Sequence, residues 1–389
     1  MRLVFISTMT GYPWGGSEEL WSQAAKKFAD EGHQISAFTE QPLPFSDKFN
    51  ALAAHKISLR ARTGVRWGAL LAAPRAACLR LGLKLRDENQ QWLLEQRPDL
   101  VVISQGGNCD GFPWLSFCRD AGLPYVTIVQ SNTENHWLPD DTAAQLAKVY
   151  QAAQKVFCVS RHNLRLLEQQ IGEDLINAQI VWNPNNAAGF SLLPWPTVDG
   201  PTRLACVARL DPAAKGQDII FQTLARPVWR ERSVELNLFG DGPCKEILRR
   251  MVRRLGLENV RFHGHVPDIA EVWRHNHLLV LPSRHEGMPL SLIEAMSCGR
   301  PAVVTDAGGN PELCVDGEHG FVATAAIEPF GQALERAWAH RMEWRQIGQR
   351  ARARIEQIIP ANPVGEFCTL LTELVQERGY AALSQKSTR

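Results

Sequence analysis

The segment that decides the fold runs Leu278-Leu-Val-Leu-Pro-Ser-Arg-His-Glu-Gly-Met-Pro-Leu-Ser-Leu-Ile-Glu-Ala-Met-Ser-Cys-Gly-Arg-Pro301. Its opening residues are apolar, as in a parallel strand that is buried on both faces. The residues after Pro289 are apolar on most sides, as in a buried helix. We place Pro289 in the first helical turn, because its φ angle already suits a helix, and Gly299 with Pro301 ends the helix. The segment therefore predicts a strand, a tight loop and a helix.

Two carboxylates flank the start of this predicted helix, Glu286 before it and Glu294 within it. A helix N-terminus presents free amide donors and a positive dipole end, which suit an anion. The carboxylates would repel that anion, but each can accept hydrogen bonds from neighbouring hydroxyls. A nucleotide sugar, with a diphosphate centre and polyol ends, has that layout. The plain alternative is a solvated surface helix, against which the apolar residues on most of its sides argue.

Strand-like and helix-like runs alternate along the chain in two blocks. The first block has strands near residues 3–7, 34–38, 100–103, 125–129 and 156–159, and the second has strands near 204–208, 235–239, 260–262, 278–281, 302–305 and 321–323. Between the blocks, proline, glycine and asparagine are too dense over 183–201 for a regular element. The pattern predicts an α/β protein with two Rossmann-like, doubly wound parallel-sheet domains. Because such sheets bind ligands at the carboxyl ends of their strands, we expect the domains to face each other across a cleft.

Length and composition set the outer bounds of this prediction. At 389 residues the chain is too long for one ordinary core. We expect an N-terminal, acceptor-side domain over 1–190, a second, nucleotide-sugar domain over 191–362, and a helix over 363–389 that is a candidate to pack back on the first domain. A formal net charge of +1 gives no reason to expect a nucleic-acid partner. The nine cysteines lack Cys-x-x-Cys spacing, and no apolar run is long enough for a signal peptide or a membrane span, which together predict a cytoplasmic protein.

Other polar motifs follow the predicted strands. Arg209 and Lys215 frame the loop after residues 204–208 and could neutralise a diphosphate, although isolated basic loop residues are usually solvated. Gly16 opens a helix after the first strand, so its amide would face the same cleft from the opposite side. The chain lacks Gly-x-Gly-x-x-Gly and the P-loop motif, which counts against a dinucleotide dehydrogenase and a P-loop enzyme. The histidine pairs at 263/265 and 275/277 lack an obvious third ligand, so no metal site is predicted.

Four motifs together resemble one large family. They are Ala208-Arg-Leu210 with Lys215-Gly216, Gly240-Asp-Gly-Pro243, Phe262-His-Gly-His-Val266, and the stretch from Glu286 to Pro301. They resemble the retaining GT-B glycosyltransferases of family 4, also called glycosyl transferases group 1. The resemblance is specific over about residues 203–323 and thinner in the N-terminal half. It implies metal-independent transfer of a sugar, without a cofactor, from a nucleoside diphosphate sugar to a glycan or lipid-linked acceptor, with retention at the anomeric carbon.

The resemblance also implies roles for single residues. The residues expected to act in catalysis are Arg209 and Lys215 on the diphosphate, Glu286 on the donor sugar, and His136. The residues expected to bind the donor are Gly16, His265, Gly287, Met288, Pro289, Leu290 and, at the ribose, Glu294. The family often ends the strand at 125–129 with a histidine that contacts the donor sugar, whereas this chain has Gln130. His136 in the same loop is the candidate to replace it.

The acceptor side is less defined by the sequence. Residues 56–86 carry basic side chains and no acidic ones, interleaved with Trp67 and several leucines. Such a surface could dock on anionic lipid at the inner face of the cell membrane, or form a basic outer face or a cleft wall for an anionic acceptor. The main hypothesis is a glycosyltransferase that makes a bacterial-type surface glycan or glycolipid.

Two rival functions stay open at this point. The enzymatic rival is a GT-B phosphorylase or a nucleotide-sugar epimerase, and a phosphorylase would need a lysine-linked pyridoxal phosphate for which we find no motif. The other rival is a catalytically weak or silent nucleotide-sugar-binding protein, because Gln130 stands where the family often has a histidine.

Overall fold

The computed structural model describes residues 1–10, 14–40, 46–62, 87–184, 192–197 and 199–387, with side chains described as far as residue 378. The first sheet has seven parallel strands in the order β3-β2-β1-β4-β5-β6-β7. These are β1 Arg2–Ser7, β2 Gln34–Thr39, β3 Ser58–Ala61, β4 Leu100–Gln105, β5 Tyr125–Val129, β6 Lys155–Cys158 and β7 Ala178–Ile180. The helices of this part are α1 Glu19–Asp30, α2 Asp47–Asn50, α3 Glu88–Gln96, α4 Phe112–Asp120, α5 Asp140–Ala152 and α6 Arg161–Ile171.

The second sheet has six parallel strands in the order β10-β9-β8-β11-β12-β13. These are β8 Thr202–Val207, β9 Val234–Phe239, β10 Val260–Gly264, β11 Leu278–Leu281, β12 Ala302–Thr305 and β13 Gly320–Ala323. The helices that follow residue 200 are α7 Pro212–Lys215, α8 Gln217–Leu224, α9 Pro227–Arg230, α10 Lys245–Arg254, α11 Ile269–His275, α12 Leu290–Ser297, α13 Asn310–Leu313, α14 Ile327–Ala339, α15 Trp344–Ile358 and α16 Pro363–Ser387.

The core forms where apolar residues recur at the spacing of each element. In α1, Leu20, Ala24 and Phe28 are buried at helical spacing and belong to one apolar cluster with Phe5 of β1. The central strand β4 is buried along its whole length, as expected for a parallel strand covered on both faces. The two parallel sheets confirm the predicted fold class.

Three local predictions need correction or completion. The helix α12 begins at Leu290, and Pro289 caps it with extended backbone at φ −74° and ψ 115°, so Pro289 does not lie in the first turn. The edge strands β3 and β7 were not predicted, because they are short and their residues are largely only half-buried. Such strands lack the continuous apolar run that marks the inner strands of a parallel sheet.

The last helix, α16, packs against the first sheet's side of the molecule. The ring of Phe367 lies edge-on to that of Phe157 in β6, with 5.2 Å between centroids, and Leu371 is buried in the cluster that includes Phe28 of α1. The expected boundaries at 190/191 and 362/363 stay predictions, and residues 185–191 lie outside the described chain. Within the described residues, no helix is both long and apolar enough to cross a bilayer.

Candidate functional site

The loop after β11 presents a buried carboxylate. Glu286 is only 6% exposed, and one of its oxygens, Oε1, accepts hydrogen bonds from Lys215 Nζ at 2.7 Å and Ser283 Oγ at 2.6 Å. Lys215 ends the short helix α7 that follows β8, so the neighbouring strands β8 and β11 bring the pair together. A buried carboxylate is stabilised only by such partners. Glu286 is therefore held in one orientation at the carboxyl edge of the second sheet.

Two arginines order the loops around this pair. Arg209 follows β8, and its guanidinium lies 3.0 Å from Asp211 Oδ2. Arg284 binds Asp218 of α8 through two hydrogen bonds of 2.7 and 2.8 Å. These bonds tie the loop of Glu286 to α8, the helix that follows Lys215 in the chain. Bidentate pairs of this kind add geometric specificity as well as energy. The cation of Lys215 and that of Arg209 thus both stand at the end of one strand, as the sequence predicts.

The helix α12 starts at Leu290, four residues beyond Glu286. The carbonyl of Pro289 accepts bonds from the amides of Leu292 and Ile293 at 3.2 and 3.3 Å, and no side chain in the described chain caps this terminus. An uncapped N-terminus with its positive dipole end is suited to an anion. Glu294, one turn into the helix, is buried.

The first domain contacts this helix start at two glycines. A Cβ added to Gly16 would lie 3.0 Å from Leu290 Cδ1, so the turn before α1 faces the first residue of α12. A Cβ added to Gly287 would lie 1.9 Å from the carbonyl oxygen of Gln130, which follows β5. Only glycine allows this approach of one backbone to the other. The loop before α12 is therefore packed against the carboxyl edge of the first sheet.

Polar contacts join the two domains beside these glycines. His285 directly precedes Glu286, and its Nδ1 lies 3.0 Å from Thr133 Oγ1. Glu312 of the second domain accepts hydrogen bonds from the backbone amides of Arg161 and His162, at 3.2 and 2.8 Å, and so caps the N-terminus of α6. A carboxylate at a helix N-terminus is favourable both for the amides and for the helix dipole.

Several of the residues expected from the sequence lie close together, and two histidines lie apart from them. Lys215 is paired with Glu286, Arg209 follows the same strand as Lys215 and pairs with Asp211, and Gly16 lies against Leu290 at the start of α12. The ring of His136 lies 3.5 Å from Cys109 Sγ, and His265 is exposed after β10. The roles assigned to all these residues stay predictions.

Sequence reasoning missed Ser283 and His285. Ser283 was detectable as a hydroxyl at the end of a buried strand, three residues before the carboxylate it binds. His285 offers no such signal, because its partner Thr133 lies 152 residues away. Within the described part of the chain, no three histidine, cysteine, aspartate or glutamate side chains are grouped as a metal site would need.

The turn Gly16–Glu18 before α1, here called the glycine turn, ends in a buried glutamate. Glu18 is 3% exposed, and its Oε2 accepts a hydrogen bond from Trp21 Nε1 at 3.1 Å. Burial raises the pKa of Glu18 to about 7, since the charged carboxylate loses its hydration. Glu18 therefore takes up a proton near neutral pH.

Two parallel-sheet α/β domains of this kind are the architecture of the GT-B class of glycosyltransferases. Within that class, the family model described as Glycosyltransferase Family 4 matches residues 14–185, and the model described as Glycosyl transferases group 1 matches residues 201–340. The chain belongs to this family, which confirms the family that its motifs resemble, while retention at the anomeric carbon stays a prediction.

Individual relatives agree with this membership. An exopolysaccharide phosphotransferase of Streptomyces coelicolor is 27% identical over 270 residues, which are 68% of this chain and 28% of that protein. The N-acetyl-alpha-D-glucosaminyl L-malate synthase of Bacillus anthracis is 31% identical over 168 residues, which are 41% of this chain and 42% of that protein. The matched segments thus span less than half of these curated relatives.

Among solved structures, HepE from Anabaena in complex with UDP and glucose has the same fold. Its TM-score is 0.71 at 20% identity, over 96% of this chain and 99% of that chain. At this identity the likeness shows the fold, and it extends along both domains.

Proposed function

We propose that this protein is a hexosyltransferase-type, retaining glycosyltransferase that moves a sugar from a nucleoside diphosphate sugar to a glycan or lipid-linked acceptor. The observation that carries the proposal is the ion pair between half-buried Lys215 and buried Glu286, 2.7 Å apart, four residues before the uncapped N-terminus of a helix that carries Glu294. Positive groups for a diphosphate and carboxylates for hydroxyls meet there. Family membership supports the same assignment.

The chemistry of the donor follows from these charges. When the bond between the anomeric carbon and the diphosphate oxygen breaks, negative charge grows on the leaving group. Arg209, Lys215 and the amides at the start of α12 would stabilise that charge, so we propose that the enzyme needs no metal for this step. Glu286, fixed by Lys215 and Ser283, would accept hydrogen bonds from donor-sugar hydroxyls, and Glu294 would do so from the ribose.

In a single displacement, retention requires the acceptor to attack from the face that the leaving group vacates. In the step we propose, the acceptor oxygen bonds to the anomeric carbon on that face while the diphosphate departs. The acceptor proton passes to the departing phosphate oxygen. A leaving group held firmly by cations is suited to this ion-pair route.

The acceptor side is proposed to lie around the loop that follows β5. Trp137 in this loop is 62% exposed, and its indole nitrogen donates to the carbonyl of Glu134 at 2.9 Å, which fixes the ring. The same loop reaches His285 through Thr133. A fixed, exposed aromatic ring with polar neighbours suits the apolar face and the hydroxyls of a sugar, which favours a glycan-containing acceptor.

A cytoplasmic location with contact to an anionic membrane is part of the proposal. Of the basic stretch 56–86, the structure describes only residues 56–62. Arg62 pairs with Glu40 at 2.9 Å, and Arg60 lies over the ring of Trp92. Pelleting with anionic liposomes at rising salt tests the contact, and indifference to lipid charge would remove this part of the proposal.

One experiment separates the proposed function from its rivals. Uridine, guanosine and adenosine diphosphate sugars are screened by thermal shift, since a ligand that binds the native state raises the melting temperature. The stabilising donor is then incubated with and without glycan acceptors, using wild type, Glu286→Gln and the exposed control Glu231→Gln. We expect the wild type and the control to hydrolyse or transfer, and Glu286→Gln to do neither.

Three other results would each overturn the proposal. Tight binding without hydrolysis or transfer, with Glu286→Gln changing only affinity, would establish a silent nucleotide-sugar-binding protein. Recovery of a nucleotide sugar with altered stereochemistry would establish an epimerase. Absence of any nucleotide binding would exclude both the proposal and these rivals.

A further inference from the structure

Gln130 uses both ends of its side-chain amide in bonds within the first domain. It follows β5 and is 6% exposed. Its Nε2 donates to the backbone carbonyl of Ser17 at 3.1 Å, and its Oε1 accepts from Asn183 Nδ2 at 2.7 Å. Buried amides are placed by such bonds, since an unpaired buried donor or acceptor is costly. The side chain is therefore a bridge between two distant parts of the chain.

The two anchors of this bridge bear directly on the donor cleft. Ser17 lies in the tight turn Gly16–Glu18, whose first residue faces Leu290 at the start of α12. Asn183 follows β7, where the chain leaves the first sheet for the second. The bridge thus ties the glycine turn to the segment by which the chain crosses between the domains.

The backbone of Gln130 makes a third connection. Its amide donates to the carbonyl of Gln105 in β4 at 3.1 Å, and its own carbonyl is the atom that Gly287 approaches. Gln130 therefore contacts the glycine turn, the segment after β7 that leads to the second domain, and the loop that joins Glu286 to α12.

We infer that Gln130 is a positioning residue: it sets the distance between the glycine turn and the phosphate-binding end of α12, and it does so without contacting the donor sugar. This inference rests on the proposed function and deepens it. It also accounts for glutamine at a position where the family often has histidine, because the two polar atoms of this side chain bind Ser17 and Asn183. Misplacement of a binding group by about 1 Å can reduce catalysis about a hundredfold.

Substitutions at both ends of the bridge test the inference. Gln130→Met keeps the length of the side chain and removes both bonds, Asn183→Ala removes one, and Gln169→Met makes the same chemical change at an exposed position of α6. Nucleoside diphosphate affinity is measured by calorimetry, and donor KM, acceptor KM and kcat by transfer assay. Melting temperatures show that each variant is folded.

We expect Gln130→Met to weaken nucleoside diphosphate binding and raise donor KM by about tenfold to a hundredfold, with acceptor KM changed less than about threefold. Asn183→Ala should shift the same quantities in the same direction, and the double variant should fall short of the two effects combined, because both act through one bridge. Gln169→Met should match the wild type. A bridge that mattered for stability alone would lower the melting temperature and leave these constants unchanged, which would overturn the inference.

Gln130→His separates positioning from direct contact. If the position faced the sugar, this variant would raise kcat and leave donor KM unchanged, and that result would also overturn the inference. The proposed function fails on a different observation, namely a wild-type protein that binds no nucleoside diphosphate.

Discussion

The contact between Gly287 and Gln130 allows the coupling of the two domains to be tested with one methyl group. A Cβ at position 287 would lie 1.9 Å from the carbonyl oxygen of Gln130 and 3.1 Å from Val159 Cγ2, and real Cβ atoms essentially never come within 3.0 Å of another atom. In Gly287→Ala the two surfaces must therefore separate by about 1 Å, because close-packed backbone cannot compress. No positive φ is involved, so the substitution acts through this clash.

The expected result is a loss of transfer with little loss of stability. A shift of about 1 Å between groups that act together reduces kcat/KM by roughly a hundredfold. The methyl group points at the other domain, so the cores of both sheets stay as they are, and we expect the melting temperature to change by less than about 3 °C. The measurement is kcat/KM with the donor found by thermal shift, together with the melting curve.

A matched control places the same methyl group where there is room. In Gly107→Ala the added Cβ would lie 3.5 Å from Asp110 Oδ2, an ordinary contact, so activity should match that of the wild type. Equal kcat/KM for Gly287→Ala and Gly107→Ala would refute the reasoning, since it would mean that the domains need not meet at Gly287 during transfer.

Three further predictions follow from other contacts. Lys215→Met leaves Glu286 buried with Ser283 as a partner; the free energy of unfolding should fall by roughly 2 kcal/mol and nucleoside diphosphate affinity by at least about tenfold. In urea titrations and calorimetry, adding Glu286→Gln should restore stability without restoring affinity. Because burial raises the pKa of Glu18 to about 7, its stabilising effect is complete below the ordinary value of about 4.5 and is lost as pH rises through about 7. Glu18→Gln should remove this dependence and be up to about 3 kcal/mol more stable than wild type at pH 8, and equal midpoints in urea at pH 5 and pH 8 for both proteins would contradict the assignment. Trp137→Ala should raise acceptor KM about tenfold and leave donor KM unchanged in the transfer assay, and an unchanged acceptor KM would remove Trp137 from the acceptor side.

Local sequence patterns were sufficient for most of the fold. The apolar run Leu278–Leu281 is a buried strand as predicted, and the following helix starts one residue after Pro289. That offset arises because the carbonyl of Pro289 already accepts the first helical bonds while its own backbone remains extended. The strands β3 and β7 were missed because an edge strand needs less apolar surface than an inner one.

The contacts of the site are of two kinds, those that motifs and strand order predict and those that they do not. Lys215 and Glu286 stand at the ends of neighbouring strands, so motif and strand order together predict that they meet. The bonds from Gln130 to Ser17 and Asn183 span 113 and 53 residues, and they depend on where the first domain's loops converge. Local periodicity carries no information about such pairs, so the function of Gln130 could be inferred only from the structure.

The position of α16 has a consequence for how the chain is made. Phe157 of β6 is covered by Phe367, which is translated only after the whole second sheet. At about 5–20 residues per second, the ribosome needs on the order of ten to forty seconds to pass from β7 to α16. During that interval the nascent first sheet presents an uncovered apolar surface, which is a target for chaperones or for self-association. The domain that emerges first is thus the last to be completed.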